Sequence, residues 1–242
     1  MKRIFKRLLK IIGIFTAAVC MVCGVILTVY STMGAVMYRT AVERRPVDTV
    51  ASEIMSRENF VPTEELPEFY VRAVISVEDR DFERHFGIDI SAIIRALIYD
   101  IKTMSAEQGG STITQQLAKN LYFTLEKRPE RKFAEILTAF ELESRLSKSE
   151  IFALYVNTIY FGNGYYGIYD AAQGYFGKEP SELDEYECAM LAGIPQAPSV
   201  YCDISGAPAQ QRLKEVLACM TECGVIDSEK AEEVARIGAG GR

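Results

Sequence analysis

Four short segments carry side chains whose types and spacing could do chemistry. The first, Glu78-Asp79-Arg80-Asp81-Phe82-Glu83-Arg84-His85-Phe86-Gly87, puts an acidic residue where an apolar helical pattern (Phe69, Ala73, Val74, Val77) ends. A carboxyl at such a helix end is partly desolvated and meets the negative end of the helix dipole. Both effects raise its pKa and suit Glu78 to general acid or base work near neutrality. An acidic last turn held by Arg80 and Arg84 is the plainer alternative, and spacing alone permits both. Asp79-x-Asp81 also resembles a metal-bound nucleotide-sugar motif, but that motif follows a strand in an α/β fold, and no such context surrounds it.

In the second segment, Gln108 to Asn120, the glycine pair Gly109-Gly110 precedes Ser111, a natural N-cap for a helix from Thr112 to Tyr122. Unpaired N–H groups and the positive dipole end gather there, as phosphate oxygens require. Lys119 stands just over two turns further up that helix. The third segment, Arg131-Lys132-x-x-Glu135, sets two cations and a carboxylate on neighbouring parts of one helix. The fourth, Lys148-x-x-Ile151-x-x-x-Tyr155-Val156-Asn157, runs into Tyr160-Phe161-Gly162-Asn163-Gly164. Taken singly, the last three also fit a capped helix, a solvated ion-pair face and a packed helix with a glycine-rich turn.

The elements that position these residues are helices. Ile90, Ile93, Ile94, Leu97, Ile98 and Ile101 form an amphipathic stretch opened by Asp89 and Ser91, and core packing is its preferred fate over contact with a membrane interface. Phe133, Ile136, Leu137, Phe140 and Leu142 mark a further helix, as do Ile151, Leu154 and Tyr155. Alanine-rich helices are predicted over 166–176, 182–193, 207–222 and 228–237, while alternating strand patterns are scarce. The fold class is therefore mainly α.

Ahead of this domain lies a different kind of sequence. Lys2, Arg3, Lys6, Arg7 and Lys10 make a basic head, and the next 28 residues, Ile11 to Tyr38, carry no charge. About 20 apolar residues cross a bilayer, so this run is long enough to span with tilt. A cleaved signal peptide, with its shorter apolar core, is the competing reading. We expect residues 1–10 to be a cytoplasmic basic head, 11–38 a transmembrane helix, 39–66 a stalk punctuated by Pro46 and Pro62, and 67–242 the catalytic domain on the outer face. The 242 residues are 49% hydrophobic and 25% charged, enough for a buried core, and a net charge of −6 argues against nucleic acid as a partner. Cys20 and Cys23 fall in the apolar run, and Cys188, Cys202, Cys219 and Cys223 permit three pairings among which sequence does not choose.

Taken in order, the four segments resemble the peptidoglycan glycosyltransferase family, the lysozyme-like transferase domain also found at the front of bifunctional penicillin-binding proteins. Glu78, Asp79, Phe82, His85 and Gly87 meet its E-D-x-x-F-x-x-H-x-G motif, and Gly109 with Ser111 through Gln116 meets G-x-S-T-I-T-Q-Q. Arg131, Lys132 and Glu135 meet R-K-x-x-E, and Lys148, Ile151, Tyr155 and Asn157 meet the fourth motif, which departs from the family at Phe152 and Ala153. The resemblance covers about residues 60–225 with order and rough spacing kept.

The resemblance implies a lysozyme-like helical domain with a larger head and a smaller membrane-proximal lobe. It implies an enzyme that joins lipid-linked nascent glycan to lipid II, with penicillin-binding or division proteins as candidate partners. Glu78 would be the base and Glu135 the second catalytic carboxylate, orienting basic groups or holding a divalent cation (Mg or Mn). Ser111, Thr112, Gln115, Gln116, Lys119, Asn120, Arg131, Lys132 and Asn157 would line the substrate and pyrophosphate site. Asp79, Phe82, His85 and Gly87 would be structural members of the first motif. With the chain ending at Arg242 and no room for a transpeptidase domain, a monofunctional transferase is implied. A glycan-cleaving muramidase or lytic transglycosylase is the nearest rival, and an inactive membrane-tethered scaffold is the rival of another class.

Overall fold

The computed structural model describes residues 2–103, 110–123 and 128–239, so Gln108 and Gly109 of the second segment lie outside the described residues. The chain is built from helices, and among the described residues the only β pairing is an isolated bridge between Tyr160 and Tyr166. Helix α1, Lys2–Arg44, is followed by α2, Val47–Met55, and α3, Glu68–Glu78. Then come α4, Ile90–Thr103, α5, Ile113–Tyr122, α6, Pro129–Arg145, and α7, Lys148–Val156. The remainder comprises α8, Ile168–Phe176, α9, Glu185–Gly193, the single turn α10, Pro198–Tyr201, α11, Ala207–Glu222, and α12, Ser228–Ala239.

Local chemistry sets most of these boundaries. Capping boxes open α5 (Thr112 with Gln115), α7 (Ser147 with Glu150) and α9 (Asp184 with Glu187), each pairing two otherwise orphaned N–H groups. Thr112, not Ser111, is the cap of α5, so Ser111 keeps its hydroxyl for another partner. Gly177 closes α8 in the left-handed conformation. Helices α7 and α9 are apolar on nearly every side and so occupy the centre, with α3 and α11 packed on α9 and α5 packed on α7.

Two expectations are corrected. The 39–66 segment is no stalk: α1 runs unbroken to Arg44, and Val47, Val50, Ala51, Ile54, Val61 and Leu66 are buried in the domain core. Helix α4 does not turn its apolar face inward, since Ile90, Ile93, Ile94 and Ile98 stay exposed while Ala96 faces in. In α6 the buried face is Ala134, Glu135, Thr138, Ala139 and Leu142, whereas Phe133, Ile136, Leu137 and Phe140 are only half-buried. The long helix explains part of this. Helix α1 packs along α6, so closely at Gly34 that an added Cβ would lie 2.7 Å from the Glu130 carbonyl oxygen. All six cysteines are free thiols.

Candidate active site

Helix α3 ends at Glu78, and the polypeptide turns away at Asp79. The Glu78 side chain is 12% exposed and sits at the wall of a cleft of about 460 Å³. Gln116 Nε2 donates to its Oε2 at 2.7 Å, and an Arg212 guanidinium nitrogen lies 3.9 Å from its Oε1. Burial pushes the Glu78 carboxyl above the usual carboxylate range. The Gln116 hydrogen bond and the charges of Arg212 and Lys119 pull it back down, and Asp79 adds to the rise. The result is a base that holds a proton more readily than a surface glutamate.

The same cleft holds groups suited to an anion. Lys119, Arg80, Arg95 and Arg212 line the same cavity, together with Gly110, Ser111 and Thr112 at the N-terminus of α5. Ser111 Oγ accepts from Lys132 Nζ at 2.8 Å, which ties the α6 cations to the edge of the cleft. Lys132 and Arg131 do not line the cleft themselves; both turn to Glu135, at 3.2 Å and 2.9 Å.

A buried polar frame holds the two sides in register. Asp79 accepts from His85 Nε2 at 2.9 Å and from the Ile113 N–H at 3.0 Å, so one carboxylate fixes the end of α3, the following loop and the start of α5. Its partner fixes the proton of His85 on Nε2, because an ionised carboxylate can only accept. Thr112 Oγ1 donates to the Gly87 carbonyl at 2.7 Å, and Gly87 holds φ +81°, a conformation that favours glycine. Glu143 Oε1 accepts from Gly87 N–H (3.1 Å), Thr114 Oγ1 (2.7 Å) and Lys148 Nζ (2.7 Å). Lys148 also donates to the His85 carbonyl at 2.8 Å and stands 4.5 Å over the Phe82 ring. Phe82 in turn packs on Phe152, so that departure from the fourth motif is core packing, and Ala153 is buried beside it.

Of the expected site residues, Glu78, Ser111, Thr112, Gln116 and Lys119 line one cleft with Asp79. Gln115 is buried in the α5 capping box. Asn120 is exposed and does not line the cleft. Asn157 is no polar wall either: its side chain accepts from Val61 N–H and donates to the Val61 and Ala153 carbonyls, clamping the 56–66 connection to the end of α7. Arg212, Arg80, Arg95 and Glu143 were not foreseen in these roles. A signal existed for Arg212, since it falls in one helical stripe with the buried Ala209, Leu213 and Val216. A charge inside an apolar stripe needs a buried partner.

For Glu135 the resemblance implies either orienting the basic groups or holding a divalent cation. Its side chain is 4% exposed and both its oxygens face cations, Arg131 and Lys132. That donor set does not fit a metal ion, and among the described residues no group of three His, Cys, Asp or Glu side chains converges to hold one.

Comparison with known proteins gives the family. Residues 45–221 match the model of the transglycosylase family. The chain is 46% identical over 175 residues to penicillin-binding protein 1A of Aquifex aeolicus, covering 72% of this chain and 24% of that protein. It is 41% identical over 167 residues to penicillin-binding protein 1A of Pseudomonas aeruginosa, covering 69% and 20%. For penicillin-binding protein 1A of Neisseria gonorrhoeae the figures are 39% over 208 residues, covering 86% and 24%. The chain thus spans about a quarter or less of the length of these relatives, and the family match begins where α1 ends and takes in the whole cleft. With its match running across nearly three-quarters of the sequence, the chain belongs to the transglycosylase family.

Proposed function

We propose that this protein is a membrane-anchored peptidoglycan glycosyltransferase that lengthens glycan strands by moving a polyprenyl-pyrophosphate-linked glycan onto the 4-hydroxyl of lipid II. The observation that carries this is the single cleft in which the Glu78 carboxylate and the Lys119 ammonium both stand. Glu78 takes the proton of the acceptor 4-hydroxyl as that oxygen bonds to the donor's anomeric carbon. The bond from that carbon to the pyrophosphate oxygen breaks, the configuration inverts from α to β, and a β-1,4 link results. The departing pyrophosphate carries its negative charge toward Lys119, Arg80 and Arg95, which line the same cleft. Glu135 pairs with Arg131 and Lys132, and Lys132 donates to the Ser111 hydroxyl at the cleft edge. The resemblance leaves room for a divalent cation (Mg or Mn), and no step here is routed through one.

Helix α1, apolar enough over Ile12–Arg44 to cross a membrane, would hold the enzyme beside substrates that are themselves lipid-anchored, with the N-terminus inside and the cleft outside. The exposed isoleucines of α4, next to the cleft, suit the same surface. A glycan-cleaving enzyme would need the glutamate and not the cations. Purified protein incubated with lipid II should yield polymer and should leave finished cell-wall glycan intact. Glu78→Gln should slow polymerisation by about 10²–10⁴-fold. Cleavage of finished glycan without polymerisation, or wild-type polymerisation by Glu78→Gln, would overturn the assignment.

A further inference from the structure

Helix α7 lies at the centre of the domain, and its residues from Ile151 through Val156 are all buried. Tyr155 differs from the rest in chemistry, because it carries a hydroxyl into a place where phenylalanine would fill nearly the same volume. A buried hydroxyl left unpaired costs stability. This one is paired: Tyr155 Oη donates to Gln116 Oε1 at 3.3 Å. The other end of the same amide, Gln116 Nε2, donates to Glu78 Oε2 at 2.7 Å. A chain of three side chains thus runs from α7, through α5, to the base at the end of α3.

Chemistry sets the direction of this chain. An ionised carboxylate only accepts, so the amide must present its nitrogen to Glu78 and turn its oxygen away. That oxygen needs a donor, and among the described residues Tyr155 is the side chain that supplies it. Burial above all, and then the charge of Glu78, holds the Tyr155 phenol well above its ordinary range, so it keeps the proton it donates. Tyr70 makes the contrast. It is equally buried, on α3 just over two turns before Glu78, yet its hydroxyl has no hydrogen-bond partner among the described residues. The other ionisable groups that act on Glu78 are Asp79 beside it, Lys119 on α5 and Arg212 on α11, which lies by the opposite oxygen, Oε1. Arg80, Asp89, Arg95 and Cys219 line the same cleft.

We propose that Tyr155 is a positioning residue for Glu78: by fixing which way the Gln116 amide faces, it holds the carboxylate as a hydrogen-bonded, ionised base at the cleft wall. Tyr155 has no exposed surface of its own, so it acts on the reaction only through Gln116. Its consequence for turnover rests on the reading of Glu78 as the base.

NMR of the full chain in detergent, with glutamate labelled at its side-chain carboxyl carbon, follows the titration of Glu78 without substrate, and the Glu78→Gln spectrum identifies its signal. Tyr155→Phe keeps the ring in the core and frees the amide to turn, so the Glu78 carboxyl should titrate about 0.5–1 pH unit higher. The acidic limb of kcat/KM for lipid II polymerisation should move with it. Gln116→Ala should move both at least as far, and adding Tyr155→Phe to Gln116→Ala should move them no further. Tyr70→Phe, which removes an equally buried hydroxyl, should leave both in place. A merely structural Tyr155 would lower the melting temperature or the rate and leave the titration where it was. An unshifted titration in Tyr155→Phe, additive shifts in the double variant, or an equal shift in Tyr70→Phe would overturn the proposal. The expected shift in a protein that makes no polymer would support this chain of hydrogen bonds and sink the proposed function, whereas polymer made by wild type beside an unshifted Tyr155→Phe titration would do the reverse.

Discussion

Glu78 is a carboxylate placed where ionisation is costly, and a second residue limits that cost. Burial raises its pKa, so the folded protein binds the Glu78 proton more tightly than the unfolded chain does. The sign follows: its stabilising contribution is fully present below the unfolded pKa and is lost as pH rises through the folded one. Above the folded pKa the ionised base costs the fold stability, as a base kept ready for chemistry must. Arg212 acts through Glu78: 3.9 Å away, it draws the pKa back down, and its Nε donates to the Gly193 carbonyl at 3.3 Å while a second nitrogen donates to Glu215. Arg212→Gln should therefore move the acidic limb of the kcat/KM profile to higher pH, while Arg212→Lys should restore part of the shift. A merely structural arginine would lower the rate at every pH and leave the limb in place. Much of this site was legible in the sequence, because Glu78, Gln116 and Lys119 fall inside recognisable motifs and the end of an apolar helix already implies a desolvated acid. Arg212 was not, because one arginine on an amphipathic helix resembles a solvated charge until its neighbours in the stripe are known to be buried.

At the level of elements, the catalytic geometry rests on loop-to-helix ties that local pattern does not display. Helix ends were legible: 207–222 is α11 as expected, and 166–176, 182–193 and 228–237 differ from α8, α9 and α12 by a few residues at their ends. Caps, prolines and glycines write those boundaries locally. Which face of α6 is buried was not legible, because the partner that covers Phe133 is α1, about a hundred residues earlier in the chain. Nor was Glu143, whose value comes from three donors on three segments. With Glu143 only 4% exposed and Lys148 at 20%, this ion pair is largely buried, and removing one partner strands the other's charge. Lys148→Met should cost about 3–5 kcal/mol by chemical denaturation. Glu143→Gln combined with Lys148→Met should recover part of that loss. Additive losses in the double variant would show that the two side chains act separately.

For the whole molecule, the question is how an anchor speaks to a cleft. A helix joined to its domain by a loose linker would only raise local concentration, and its orientation would not matter. Here α1 leads without a break into the domain, lies along α6 and ties to it through the Tyr38 hydroxyl, which donates to Glu141 at 3.0 Å. Residues 47–66, which the prolines make look like a linker, give Val47, Val50, Ala51, Ile54, Val61 and Leu66 to the core, and the first four already show helical spacing. The cleft should thus keep a fixed attitude to the membrane, with the apolar face of α4 beside it. Gly34 is a point of close approach, where an added Cβ would stand 2.5 Å from the Phe133 Cβ, so a larger side chain must push α1 off α6. Gly24, further back in the same helix, has nothing within 4 Å of such a Cβ and serves as the control. Gly34→Leu should lengthen the distance between spin labels on α1 and α6 and cut lipid II turnover in vesicles by on the order of tenfold, because small misplacements of a reacting centre are amplified in the rate. Gly24→Leu should do neither. If Gly34→Leu separates the helices and still polymerises at the wild-type rate, then the anchor supplies proximity alone and the attitude of the cleft is set by the domain's own contact with the bilayer.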